Sequence, residues 1–235
     1  MTLQFPPLLN SHEMAADQNP AFVGLSGAND GRYSAGDVLW VRNHDTLDFA
    51  IVLEPDVDRL RSLEMIFVLM VALGDAIGAI APPEVAITHY WPNTLLANDA
   101  EIGAVHAHLS ESDGADGCPL FMVVAAKIAV RPKMDDMNPG LDENRTTLWD
   151  EGCGDLDAMQ LLEATARHFM TWVHTWQEEG FQPVLTLLDS RMVEGHAVSL
   201  PSLKGTYLGL DESANMLVSH DGGSRLIKVS EVVNA

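Results

Sequence analysis

Lys127 and Arg131, with Lys133 just beyond, lie at alternate positions on and after a segment, Leu120 to Val130, whose Val, Ile and Ala content marks a β-strand. Alternation puts Ala125, Lys127, Ala129 and Arg131 on one face, where an ammonium and a guanidinium could hold a carboxylate or phosphate over small neighbours. The competing reading of Lys127 is an ordinary solvated strand residue, and burial decides between the two. His106 and His108, two apart on a second strand from Glu101 to Leu109, face one way at a spacing that suits two ligands of a metal. No third ligand is near them in sequence. His89 could approach from an adjacent strand, but solvated or core histidines are the commoner case, so the sequence assigns no metal. Upstream, Trp91-Pro92-Asn93 reads as a turn in which Asn93 offers an amide to a ligand or to backbone. Leu25-Ser26-Gly27-Ala28 lacks the second glycine and the lysine of a phosphate loop, and Ser26 lacks the setting of a hydrolase nucleophile.

These groups sit in a strongly acidic chain. Thirteen Lys and Arg against 34 Asp and Glu give a formal charge of -21, a field that repels nucleic acid and anionic membrane surfaces. Neither is expected as a partner. No cation occurs between Arg61 and Lys127, a gap that contains Trp91-Pro92-Asn93. An apolar fraction of 47% and a charged fraction of 20% exclude disorder, and 235 residues can bury one substantial core, or one domain plus a small appendage. Cys118 and Cys153 match neither a metal-ligand pair nor a disulfide framework, which fits a reducing cytoplasm. Met1 to Asn10 has no basic leader, and the apolar run Ile66 to Ala81 is interrupted by Asp75 and shorter than the ~20 residues of a membrane span.

The elements that must position these residues follow from periodicity. Residues 1–36, with Pro6, Pro7 and Pro20, read as an irregular entry with room for one short helix. Asp37 to Arg42 and Asp48 to Glu54 are strands joined through Asn43-His44-Asp45. From Asp58 to Ile80, Leu60, Leu63, Phe67, Met70, Gly74 and Ile77 recur every three or four residues, as on a packed helix that Pro82-Pro83 ends. Glu84 to Thr88 is a strand leading into Trp91, and a turn at Asp113-Gly114 joins the two long strands beyond it. Residues 132–154 read as a long loop beside the site. Asp157 caps a helix whose stripe Met159, Leu162, Ala166, Phe169, Val173 and Trp176 runs to Gly180 and accounts for Trp172 and Trp176 as core packing. Short strands at Ala197 to Leu200, Gly205 to Leu210, Met216 to Ser219 and Arg225 to Val229 make a small β unit, so the expected division is 1–188 and 189–235.

In this order the pieces resemble the biotin protein ligases and lipoate-protein ligases, from about Asp37 to Val233. Trp91-Pro92-Asn93 followed by Ile102-Gly103-Ala104 is similar to the family's Lys-Trp-Pro-Asn-Asp, which precedes a catalytic lysine and a glycine-containing strand. Gly205 to Asp211 resembles its Gly-x-x-x-Gly-Ile-Asp segment, and Val229-Ser230-Glu231-Val232 its closing Gly-Glu-Val. The resemblance implies an α+β catalytic domain related to the class II synthetases, followed by a small Src-homology-like β-barrel. It also implies ATP and biotin or lipoate as cofactors, and a carrier protein whose lysine attacks the acyl-adenylate. By the same resemblance Trp91, Pro92, Asn93, Glu101, Gly103, Ala104, Ala125, Ala129 and Arg131 line the ligand site, with Lys127 as the candidate catalytic cation.

Departures fall where that chemistry would be. Tyr90 stands at the lysine before the tryptophan, Thr94 at the aspartate and Glu101 at the catalytic lysine, and the Gly-Arg-Gly-type loop is absent. Ala125-Ala126-Lys127-Ile128-Ala129 replaces a Gly-Ile-Gly-Ile-Asn strand, so Lys127 falls where backbone would cradle the biotin ring. Cations hold a carboxylate against a phosphate and spread the charge of attack. The expectation is therefore a degenerate member without ordinary ligase activity that keeps a pocket for a small carboxylate- or phosphate-bearing ligand. An active ligase or acyltransferase using Lys127 is the alternative, and a non-enzymatic interaction module a second. Whether the chain is an enzyme stays open.

Overall fold

The computed structural model describes residues 3–132, 144–200 and 203–233. Lys133 and residues 134–143 of the expected loop lie outside them. The elements are β1 (Asn10–Met14), α1 (Pro20–Asn29), β2 (Asp37–Val41), β3 (Thr46–Leu53), α2 (Arg59–Ser62), α3 (Glu64–Ile80), β4 (Ile87–Tyr90), β5 (Thr94–Ala97), β6 (Ala100–Leu109), β7 (Met122–Ala129), α4 (Ala158–Glu179), α5 (Gln182–Ser190), β8 (Ala197–Leu200), β9 (Leu203–Leu210), β10 (Met216–His220), β11 (Gly223–Ile227) and α6 (Val229–Val233).

Seven strands form one sheet in the order β1-β2-β3-β7-β6-β5-β4. β1 runs parallel to β2, and the pairs from β2 to β4 across the sheet are antiparallel. Its inner face, carrying Phe49, Ile51, Val124, Ala126 and Ile128, packs on α3, which α4 and α5 cover in turn. Being enclosed on both sides explains why α3 is apolar all round: Ile66 to Leu73 are each at most 1% exposed. The segment Arg59–Ile80 is long and apolar enough to cross a membrane, but most of it is buried inside this fold. The helix expected over Asp58 to Ile80 breaks at Leu63, where the Ser62 hydroxyl donates back to the Asp58 carbonyl at 2.8 Å. α4 starts where expected, the Asp157 carboxylate accepting from the backbone N–H of Met159 and Gln160, and Gly180 at φ 79° ends it.

On the outer face α1 covers only part of the sheet, packing on Leu39, Ala50, Val52, Val123 and Ala125. Among the described residues the rest of that face stays open around Lys127. The C-terminal strands form an antiparallel sheet in the order β11-β10-β9-β8. Where the resemblance implies a barrel, no β11–β8 pairing closes the sheet among the described residues. Tyr207, Ala214, Met216 and Val218 belong to the same buried cluster as Trp91 and α3, so the two units share one core.

Candidate functional site

β6 carries an irregularity that sets which side chains reach the outer face. Ile102, Val105 and Ala107 are buried in the inner core, and the β5–β6 register shifts at Leu95/Leu96. A bulge therefore leaves Ile102 without a partner on β5 and turns Glu101, Ala104, His106 and His108 outward. Gly103 has φ 155°, and a Cβ there would run into the Lys127 carbonyl oxygen. Its glycine serves the close approach of β6 to β7.

Ala104 pairs with Lys127, and Lys127 with Asp48 on the next strand. The Lys127 side chain is 68% exposed, and its Nζ lies 3.2 Å from the Asp48 carboxylate. Beyond the end of β7, residues 144–146 take its place beside β6: Glu101 N–H donates to the Asn144 carbonyl at 2.8 Å, and Thr146 N–H to the Glu101 carbonyl at 3.0 Å. This brings Arg145 Nη2 within 3.6 Å of the Glu101 carboxylate. Asp48 and Arg145 were not singled out from sequence. An aspartate interrupting an apolar strand was a usable signal for the first, whereas Arg145, in an acidic loop, gave none.

Arg131 does not continue the alternation of Ala125, Lys127 and Ala129. β7 stops at Ala129, and the N–H groups of both Val130 and Arg131 donate to the Asp45 carbonyl. The Arg131 guanidinium lies over Trp149, 5.0 Å from the ring centroid, and donates to the Leu156 carbonyl at 3.4 Å. Ala125 is only 6% exposed, covered by α1, while Ala129 binds the Leu148 N–H through its carbonyl.

The Trp91-Pro92-Asn93 turn is occupied internally. Its Trp91–Pro92 bond is cis. Trp91 is 7% exposed and its Nε1–H donates to the Ala214 carbonyl of the C-terminal unit at 2.8 Å. Asn93 donates its amide to the Val105 carbonyl at 2.8 Å and accepts the Val105 N–H on its own carbonyl at 2.9 Å, fastening the turn to β6. Tyr90, at the expected lysine, stacks on His196 (centroids 4.4 Å apart), and His196 stacks on Tyr207 at 4.9 Å. Burial and the neighbouring Asp189 carboxylate push the Tyr207 phenol above its ordinary pKa.

His89, raised from sequence as a third metal ligand, is fully buried on the inner side, its backbone paired with residues 191–193. Neither ring nitrogen meets a hydrogen-bond partner among the described residues, and burial, reinforced by the Arg191 guanidinium, pushes its pKa down to about 3. Arg191 itself donates to Asp75 at 2.6 Å, and Asp75 accepts the Trp172 indole N–H at 2.7 Å. His106 and His108 are exposed on the outer face, and partial desolvation together with the charge of His108 lowers the His106 pKa.

Residues 5–188 match the biotin/lipoate A/B protein ligase family, and the chain belongs to that family. A biotin–[acetyl-CoA-carboxylase] ligase of Paracoccus denitrificans is 25% identical over 202 residues, 82% of each chain. Among solved structures, a biotin protein ligase-like protein of unknown function from a Silicibacter species aligns with a TM-score of 0.88 and 32% identity over 99% of both chains. The biotin protein ligase of Aquifex aeolicus, in complex with biotin and ATP, aligns at 0.74 and 19% identity, covering 94% of this chain and 97% of its own.

Proposed function

We propose that this protein is a biotin/lipoate ligase-fold protein without ordinary biotin ligase activity, whose outer sheet face, around Lys127, binds a small ligand bearing a carboxylate or phosphate. The observation that carries the reading is the Glu101–Arg145 and Lys127–Asp48 arrangement. Where the family resemblance calls for a lysine there is a carboxylate, and among the described residues Lys127 and Arg145 on this face each stand beside an acid. Bringing a carboxylate onto the phosphate of ATP needs surplus positive charge, each such group being worth ~2.7–4 kcal/mol to the transition state. These residues do not fit that chemistry. Lys127 as a substitute catalyst is disfavoured too, because an exposed, paired ammonium has no water-excluded site in which to act. The internal use of Trp91 and Asn93 points the same way.

A thermal-shift series with ATP, biotin, lipoate and octanoate, run on the wild type and on Lys127→Ala, tests the proposal. Saturable stabilisation by octanoate or lipoate that Lys127→Ala weakens supports a carboxylate ligand on this face. Saturable stabilisation by biotin plus ATP, with transfer of biotin to a carrier domain, overturns it.

A further inference from the structure

We infer that the outer sheet face binds a divalent transition-metal ion through His106 and His108, with open coordination positions turned toward the ligand surface at Ala104 and Lys127. The second half of this statement rests on the ligand-face reading above; the metal site does not.

The two histidines alternate with buried Val105 and Ala107, so their side chains leave β6 on the same side, with Cα atoms about 6.5–7 Å apart. Two imidazole nitrogens from that spacing can converge on one ion at about 2.0–2.1 Å each. Their cross-strand neighbours are Ala125 and Val123, which carry no competing polar group. Both rings are exposed, and neither makes a hydrogen bond or ion pair with another described residue. By contrast His12, His44 and His168 face carboxylates, and His196 and His220 bind backbone carbonyls.

No group of three His, Cys, Asp or Glu forms a cage among the described residues, and buried His89 cannot join the pair. Two protein ligands leave positions for water or for a ligand's oxygen. Imidazole favours zinc, copper, nickel or cobalt over magnesium, and the formal charge of -21 attracts any cation. Ala104 sits one pleat along β6 from His106 and opposite Lys127. An ion there would supply positive charge to a patch in which Lys127 and Arg145 are already paired with acids.

The test is titration of the full chain, without a polyhistidine tag, with Co²⁺ and Zn²⁺, followed by calorimetry and by the visible absorption of bound Co²⁺. One equivalent should bind. His106→Ala and His108→Ala should each weaken binding by at least the roughly tenfold that even an outer-shell partner of a metal is worth, and His174→Ala, an exposed histidine on α4, should change nothing. Unchanged affinity in the His106→Ala/His108→Ala double variant, or an equal loss in His174→Ala, overturns the metal site. In a second arm, octanoate and inorganic phosphate are titrated with and without Zn²⁺, and metal should tighten their binding in the wild type but not in the double variant. Metal binding with no anion binding under either condition sinks the ligand-face reading and leaves the metal site standing. Equal anion binding by the wild type and the double variant refutes the metal's role and leaves the ligand face standing.

Discussion

Replacing His89 should remove a large part of the protein's sensitivity to mild acid. The ring is fully buried, lacks hydrogen-bond partners among the described residues and lies near the Arg191 guanidinium, so it stays neutral in the folded chain down to about pH 3. In the unfolded chain it titrates near 6.5. As pH falls through that value the unfolded state takes up the proton first, so the wild type loses stability at up to about 1.4 kcal/mol per pH unit until the folded pKa is reached. Between pH 7 and pH 5 the loss from this residue is about 2 kcal/mol. His89→Leu keeps an apolar body of similar size and cannot charge. Urea unfolding of both proteins across this range reads the effect as a difference, in which Glu64, with its pKa raised by burial, and Asp37, with its pKa lowered, cancel to first order. A wild-type-minus-variant difference that stays constant from pH 7 to pH 5 refutes the reasoning; His89→Gln repeats the test if the leucine variant does not fold.

Other substitutions probe the scaffold around the site. Asp75→Ala strips Arg191 and the Trp172 indole of their shared acceptor and should cost about 1–3 kcal/mol in chemical denaturation, with Asp75→Ala/Arg191→Met costing less because no half-buried charge is left unpaired. Gly103→Ala forces a methyl against the Lys127 carbonyl and should lower stability by about 1–3 kcal/mol, read as a shift in the urea midpoint. Lys127→Ala removes an ion pair whose ammonium is exposed and should change stability by less than about 1 kcal/mol in the same assay.

Strong periodicity made much of the fold legible. β2, β3, β6, β7 and the α3 and α4 helices declare themselves through apolar stripes, and Asp157 and Gly180 mark the ends of α4. β1, with the polar sequence Asn-Ser-His-Glu-Met, is a short edge strand without an apolar pattern, and its pairing with β2 is a tertiary fact. β5 has no place among the strands expected from sequence, although Asn98 and Asp99, at φ 47° and 71°, are the residue types that favour a hairpin turn. α5 carries Pro183 in its first turn and apolar Val184, Leu185 and Leu188, a pattern too short to stand out beside the longer stripe of α4. At the site, alternation correctly relates Lys127 to Ala125 but cannot foresee that the strand ends before Arg131. Nor can sequence reveal that Trp91 and Asn93 are occupied by Ala214 and Val105, contacts that only the assembled fold brings together.

The stack of Tyr90, His196 and Tyr207, with the Trp91–Ala214 hydrogen bond beside it, bears on how this chain can change over generations. Tyr90→Lys would restore the lysine that the ligase resemblance calls for, and it would also delete the ring on which His196 rests. In this chain the position serves assembly, through the ring contact with His196. A lysine there would come at the expense of the stack that holds the C-terminal strands against β4, so a change in the chemistry of this position is also a change in assembly.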